Sequence, residues 1–316
     1  MASTTQEIIG NLNGAPVLSA EQELAERFAP ERIGEMSLKL MQEVIGSDAR
    51  SILGDRQFFV AYIDADSEYA DIPRSTESIV FSEVFEEPLV KVVADYGKYD
   101  PGSTFVTVID MQPKVPVAAG ALRITHDHTP RGFKDVNDLV EESPSNPWYE
   151  EIIKGYFGKD EAYDPDLAWA RLGQEEGVDL KLGESHDIAT HASAKEYRGK
   201  HGDLNGVSML FYHACLRYAM SRNAKNLLAI FDIPPLDNLQ QFGKPFDIYK
   251  GLDSHSYGGP YPTLPAFCVI ERGMQRIRDN NADVGKVFID GALLDGSALI
   301  PNEYNTEEFS DRAVGL

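Results

Sequence analysis

Three side chains that can exchange protons fall close together near the middle of the chain. Glu184, His186 and His191 lie within eight positions, at and inside a segment whose alternation and small, β-branched residues predict a strand over residues 185–192. An imidazole titrates near neutral pH without strong perturbation, so His186 is the first candidate for a general base, Glu184 the second and His191 the third. The alternative is that these polar groups satisfy one another at a strand end.

Strand alternation assigns these side chains to faces of a sheet. A two-residue period places His186 and Thr190 on one face of the predicted strand, and Asp187 and His191 on the other. The sequence therefore predicts that the two imidazoles point to opposite sides of the sheet.

A basic turn that contains glycines follows this strand. The run Arg198-Gly199-Lys200-His201-Gly202 precedes an apolar segment at helical spacing and then a short buried strand. Glycines let the backbone approach a ligand, and the unpaired N–H groups at a helix start point toward an anion. We expect Arg198, Gly199, Lys200 and Gly202 to hold a phosphate or pyrophosphate. Salt-bridged charges on a solvated helix are the alternative.

The elements that must position these groups are predicted from periodicity and from turn residues. A capping box predicts a helix over residues 19–29, and a proline at the first position predicts a second over residues 30–45. An apolar run predicts a strand over residues 58–63. Residues 76–85 are interpreted as a strand-like stretch, and residues 286–289 as a final edge strand.

Composition limits the class of protein. A chain of 316 residues with 42% hydrophobic content can bury one large core or two small ones. A net charge of −22 argues against nucleic acid as a partner, because phosphate backbones attract clustered basic charge. Residues 195–225 form a basic cluster, with six basic and two acidic side chains. No long apolar run and no secretory signal are present, which predicts a cytoplasmic protein with no membrane span.

Several other chemistries lack their characteristic residues. The patterns Gly-x-Ser-x-Gly and Gly-x-Gly-x-x-Gly and the Walker motif are absent, which argues against a serine hydrolase, a dinucleotide site and an NTP site. Cys215 and Cys268 lie in apolar segments and favour packing over a disulfide or a zinc site. We interpret His126-Asp127-His128 as a polar loop, since no further metal ligands are identified. The sequence predicts no metal.

Two parts of the chain resemble a known family. The order strand, turn, helix, strand and the run from Glu196 to Lys200 resemble the acyl-CoA pyrophosphate loop of the GCN5-related N-acetyltransferase (GNAT) superfamily. His201 and Asp203 stand where the family pattern has small residues.

A second similarity narrows the branch of this superfamily. The predicted hairpin over residues 104–124 and the segments 239–246 and 257–267 are similar to the autoinducer-synthase-like branch. That branch includes acyl-homoserine-lactone synthases and N-acyl amino acid synthases.

The resemblance implies both a fold and a reaction. The implied fold class is α/β, with a GNAT-like mixed central sheet, splayed parallel strands and flanking helices. The implied reaction is N-acyl transfer from acyl carrier protein or CoA to the amine of a small polar metabolite, with an amino acid as the favoured acceptor. Acyl-CoA or acyl-phosphopantetheine would be a co-substrate, with no permanently bound cofactor. The alternatives are a thioester-binding protein with hydrolase or other altered chemistry, and a catalytically silent binding protein.

Three further side chains are candidates for substrate binding. Arg123, at the end of the predicted hairpin, could hold an acceptor carboxylate through two hydrogen bonds, or could form an ordinary ion pair with an acid of the insertion that follows. Phe242 belongs to an apolar set that could line an acyl tunnel or simply pack in the core. Trp148 lies in the insertion and is a candidate substrate contact.

The predicted domain organisation has one main domain. Residues 1–55 form an N-terminal helical segment, residues 56–300 the acyltransferase domain, and residues 301–316 a polar tail. Residues 126–183 form an insertion within the domain, which could be a lid over the acceptor site or a structural flap.

Overall fold

A computed structural model of the chain describes residues 18–126, 133–140, 146–149, 151–152, 170–171, 173–174, 177–198, 206–257, 259–290 and 298–299. The predicted tail at residues 301–316 and much of the predicted insertion lie outside the described residues, so the domain boundaries stay predictions.

The strands of the described residues form one mixed sheet. They are β1 (Phe58–Asp64), β2 (Ser103–Asp110), β3 (Val117–Thr125), β4 (Ser185–Ser193), β5 (Asn226–Asp232), β6 (Asp247–Ile248), β7 (His255–Ser256), β8 (Pro262–Val269) and β9 (Ala298–Leu299). The order across the sheet is β6-β8-β5-β4-β3-β2-β1-β9, with β7 also paired to β8. The pairs β4–β5 and β1–β9 are parallel, and the other pairs are antiparallel.

Helices cover both faces of this sheet, which confirms the predicted α/β class. They are α1 (Ala20–Arg27), α2 (Pro30–Ile45), α3 (Ala49–Leu53), α4 (Asp71–Phe85), α5 (Leu89–Gly97), α6 (Lys134–Val140), α7 (Val207–Ser221), α8 (Ile233–Gln240), α9 (Ile270–Asn280) and α10 (Ala282–Phe288). Both predicted N-terminal helices are present, and Ser19 and Gln22 form the predicted capping box of α1. In the part of the chain that the structure describes, no helix is long and apolar enough to cross a membrane.

Two predicted strands are helices in the structure. Residues 76–85 belong to α4, which packs on β3 and β4 and anchors there through the Thr76 hydroxyl, 3.1 Å from the carbonyl oxygen of Ala118. Residues 286–288 belong to α10, whose N-cap Asn281 accepts a hydrogen bond from the amide of Val284. Short apolar runs fit either element, and here tertiary packing decided between them.

The alternation of β1 separates the two halves of the core. Val60 packs into the cluster that contains α7, whereas Phe59 packs into the cluster that contains α2. Gly120 on β3 allows α7 to approach closely, because a Cβ atom there would lie 2.5 Å from the ring of Phe211 and 2.8 Å from the carbonyl oxygen of Ala192. Helix α7 is therefore seated directly on β3 and β4.

The parallel strands β4 and β5 diverge soon after they begin. Their pairing is limited to Ser185 with Asn226, His186 with Leu227, and Asp187 with Leu228. Strand β4 continues to residue 193 and β5 to residue 232, and no described strand lies between them. The predicted splayed parallel pair is confirmed.

A bulge in β4 changes which side chains share a face. Arg123 pairs with Thr190 and Ile124 with Ile188, so Ala189 is an extra residue on β4. The His186 ring packs against Tyr218 and the His191 ring against Phe211, both on α7. The prediction that the two imidazoles point to opposite faces is therefore wrong, because it assumed an unbroken two-residue period.

Candidate active site

A cleft of about 510 Å³ lies where β4 and β5 separate. Its walls come from β4, β5, the ends of α4 and α5, and α6. The lining includes Phe81, Phe85, Lys91, Asp95, Tyr96, Lys98, Lys134, Asp135, Asp138, Thr190, His191, Ile230, Asp232 and Tyr257. Aromatic rings and charges of both signs therefore face the same space.

His191 is the one of the three predicted proton acceptors that lines this cleft. Its Nε2 atom is buried and has no hydrogen-bond partner among the described residues, and its Nδ1 atom lies 3.5 Å from the hydroxyl of Tyr212. The rings of Phe211 and Tyr212 meet it edge-on. Burial lowers the pKa of His191 to about 4, so the ring is neutral at neutral pH.

His186 lines a different cavity, of about 810 Å³, at the opposite end of β4. There its ring centroid lies 4.6 Å from that of His126. The Tyr218 hydroxyl lies 3.1 Å from Nε2 of His126 and 2.9 Å from the hydroxyl of Thr104. Among the described residues, this cavity and the cleft share no lining side chain. The fold therefore does not bring His186 and His191 together, although both face α7.

Glu184 also lies outside the cleft. Its Oε1 atom is 2.8 Å from Nζ of Lys225, and about a third of its side chain is exposed. This surface ion pair joins the start of β4 to the residue before β5, so the partner of Glu184 is Lys225 and not another polar residue of the strand. A catalytic role for Glu184 stays a prediction.

Arg123 lies in a buried ion-pair network. Its guanidinium donates to both carboxylate oxygens of Glu77, at 2.9 and 2.6 Å, and to Asp100 at 2.8 Å. It also lies over the ring of Phe105, and its side chain is only 1% exposed. This environment favours the ion-pair alternative over a grip on the acceptor, with partners from α4 and the loop before β2 rather than from the insertion.

The other two predicted substrate contacts do not line the cleft. Trp148 is fully buried in a cluster of insertion and β5–β8 side chains, and its indole N–H donates to the carbonyl oxygen of Asp253 at 2.8 Å. Phe242 is half-buried against the main core. For Phe242 these surroundings match the core-packing alternative, and Trp148 is also packed away from the cleft.

The predicted phosphate loop is described at its first residue. Arg198 is exposed, and its Nε atom donates to the carbonyl oxygen of Ser193 at 3.0 Å. Gly199, Lys200 and Gly202 lie outside the described residues. The structure resumes at Gly206, the N-cap of α7. Phosphate binding by this loop stays a prediction.

A buried group of charges at the base of the splay was missed by the sequence analysis. Asp135, on α6, donates its backbone N–H to Oδ2 of Asp187 at 2.9 Å and accepts the N–H of Ile230 at 2.8 Å. These partners are 52 and 95 residues away along the chain, so no local pattern could have identified them. Burial raises the pKa of both carboxyl groups.

Lys134 completes this group of charges. Its Nζ atom lies 2.6 Å from Asp138 and 3.4 Å from Asp135, between the rings of Tyr96 and Tyr257. Burial disfavours the ammonium, but the two carboxylates outweigh it and raise the pKa of Lys134. The described residues contain no group of three side chains that could hold a metal ion. Asp127 and His128 lie outside those residues.

Comparisons with known proteins give similar structures but no sequence match. No family model matches the chain, and no curated protein matches it. The chain is similar to BjaI, a CoA-dependent acyl-homoserine lactone synthase solved with SAM and isopentyl-CoA, with a TM-score of 0.44 and 13% identity over 72% of this chain and 90% of that one. It is similar to FeeM, an N-acyl amino acid synthase from uncultured soil microbes, with a TM-score of 0.43 and 11% identity over 70% and 95%.

A third similar structure is the acyl-homoserine lactone synthase LasI, with a TM-score of 0.37 and 9% identity over 68% of this chain and 91% of that one. These three TM-scores are all below 0.5.

Proposed function

We propose that the protein is an N-acyltransferase, which moves an acyl group from CoA or acyl carrier protein to the amine of a small polar metabolite. The observation that carries this proposal is the splay of β4 and β5 beside the cleft. Beyond Asp187, the edge of β4 that faces β5 has no strand partner among the described residues. The phosphopantetheine arm of both carriers is an extended chain with amide groups, so it can pair with such an edge as an added strand.

His191 supplies the general base in this proposal. The neutral amine attacks the thioester carbonyl, the N–C bond forms, the C–S bond breaks, and the thiol leaves with one proton. The ammonium formed by attack loses a proton to the imidazole of His191, which lines the cleft and is neutral at neutral pH. Main-chain N–H groups of β4 on the unpaired edge would stabilise the oxyanion.

The charges around the cleft favour an amino acid as the acceptor. Asp95 and Asp232 can attract an ammonium group, and Lys98 can attract a carboxylate. Burial raises the pKa of Asp232, which lies at the end of β5. Charges of both signs in one cleft suit a zwitterion better than a simple amine.

The carrier is proposed to approach the end of β4. Lys195 and Arg198 are exposed there, in the basic cluster predicted from the sequence. An acidic acyl carrier protein would be attracted to these side chains in a chain that is otherwise strongly acidic. A cytoplasmic location, where such carriers occur, belongs to the same proposal.

Thiol release tests the reaction. The protein would be mixed with acyl-CoA or acyl carrier protein, with and without a pool of amino acids and other amines, and the products identified by mass spectrometry. Release that requires an amine and matches the amount of N-acyl product supports acyl transfer. Release without an amine indicates hydrolysis, and no release indicates a silent binding protein. Either of these two results contradicts the proposal.

A matched pair of variants tests the base. H191Q is expected to lower kcat by about 10²- to 10⁴-fold, the usual contribution of a general base. H186Q changes the same residue type on the same strand but in the other cavity, and we expect its kcat to stay within about threefold of wild type because it does not face the amine. Equal losses in both variants, or a loss in H186Q alone, would contradict the assignment.

A further inference from the structure

A side chain from α6, that of Asp135, lies between β4 and β5 where the two strands separate. The register of the last parallel pair, Asp187 with Leu228, would bring Ala189 opposite Ile230 if the ladder continued. Instead, the Ile230 N–H donates to the carboxylate of Asp135 at 2.8 Å. A side chain of α6 thus takes the place of a main-chain carbonyl of β4.

The same residue is fixed to β4. The backbone N–H of Asp135 donates to Oδ2 of Asp187 at 2.9 Å, and that oxygen also accepts the hydroxyl of Thr125 at 3.0 Å. Asp135 and Asp187 are both buried. Asp135 therefore joins the two strands through one bond to each, at the level where their direct pairing ends.

The helix that holds this residue is itself well anchored. Lys134 forms ion pairs with Asp138 and Asp135, and its Nζ atom lies over the rings of Tyr96 and Tyr257. Leu139 packs in the buried cluster around Trp148. The helix that carries the Asp135 carboxylate is thus held by packing at Leu139 and by the ion pairs of Lys134, so the fold sets the position of the carboxylate between the strands.

We propose that Asp135 is a positioning residue that acts as a wedge between β4 and β5. It sets the separation of the two strands, and so the width of the gap between them, here called the slot, in which the thioester arm would lie. This inference rests on the proposed function. A buried N–H without an acceptor is unfavourable. Without the Asp135 carboxylate, the Ile230 N–H gains most by turning to a carbonyl of β4, which narrows the slot. With the carboxylate in place, the Ile230 N–H has its acceptor, and the edge of β4 beyond Asp187 stays available to the arm.

Three variants of the full chain separate this role from simple structural damage. D135A removes the acceptor, whereas D135N keeps an oxygen for the Ile230 N–H. L139A removes a buried contact of the same helix but touches neither strand bond. The Michaelis constants for acyl-CoA and for the amine, together with kcat, would be measured for each, and amide exchange would report on Ile230.

We expect D135A to raise KM for acyl-CoA by about tenfold or more, with KM for the amine and kcat changed less than about threefold. D135N and L139A should stay within about threefold of wild type in all three quantities. An unchanged KM for acyl-CoA in D135A, or an equal rise in L139A, would overturn the wedge.

A binding measurement distinguishes failure of the wedge from failure of the proposed reaction. If wild type releases no thiol with any amine, the proposed reaction fails, and calorimetric titration with CoA then decides about the wedge. Weaker CoA binding in D135A than in D135N and L139A would support it. Equal affinity in all proteins, or no binding by any, would overturn it. If D135A does not fold, protection of the Ile230 amide from exchange in wild type that is retained in D135N supports the contact, and an unprotected Ile230 amide in wild type overturns it.

Discussion

Acid should destabilise this protein through the protonation of His191. In the unfolded chain an imidazole has a pKa near 6.5, whereas burial lowers that of His191 to about 4. Below pH 6.5 the unfolded chain binds a proton that the folded chain rejects, so stability is lost as the pH falls from 6.5 to 4 and is unaffected above that window. For these two values the loss between pH 7 and pH 5 is about 2 kcal/mol.

The variant H191F removes this group without leaving a large cavity beside Phe211 and Tyr212. Its free energy of unfolding, measured with urea at pH 7 and pH 5, should fall by about 2 kcal/mol less than that of wild type over this interval. Buried carboxyl groups such as Asp135 and Asp187 also titrate, but they do so in both proteins and cancel in the comparison.

Y212F is the matched control for this experiment. In the wild type the Tyr212 hydroxyl lies 3.5 Å from Nδ1 of His191, but the imidazole pKa is lowered by burial and not by this contact. Y212F should therefore keep the wild-type pH dependence. If H191F and wild type lose the same stability between pH 7 and pH 5, the imidazole is not buried in its neutral form, and the reasoning that makes it a neutral proton acceptor is refuted.

Other predictions concern a buried ion pair, a close contact between a strand and a helix, and a helix cap. E77Q should lower the free energy of unfolding, measured in urea, by about 3–5 kcal/mol, because it leaves the buried guanidinium of Arg123 with only part of its charge compensation. The double variant E77L/R123M should lose clearly less unfolding free energy than E77Q. An equal or larger loss in the double variant would contradict this account. G120A should lower the free energy of unfolding by about 1–3 kcal/mol, since the new Cβ atom would meet the ring of Phe211 and a backbone carbonyl oxygen. An unchanged melting temperature would contradict that close approach. S19A should lower the free energy of unfolding by about 1 kcal/mol, because it removes the side-chain cap of α1. An unaltered urea midpoint of unfolding would show that the cap contributes nothing to stability.

Local sequence patterns were sufficient for most of the regular elements. The capping box at Ser19, the proline at position 30 and the apolar period of α7 each depend on neighbours within one or two turns of helix. Such signals fail where a short apolar run fits two elements. Residues 76–85 and 286–288 became helices because their side chains pack against strands and helices that are distant in sequence.

The candidate site, too, could be predicted only in part from the sequence. The sequence by itself determined that β4 carries several proton-exchanging groups, that a basic turn follows it, and, through the family resemblance, that β4 and β5 should diverge. It could not determine which imidazole enters the cleft, because one extra residue at Ala189 reverses the face of every side chain after it. Nor could it find Asp135, whose bonds to Asp187 and Ile230 exist only once α6 is packed against both strands. Periodicity is a property of neighbouring residues, whereas burial, bulges and contacts between distant strands are fixed by the packing of the whole domain.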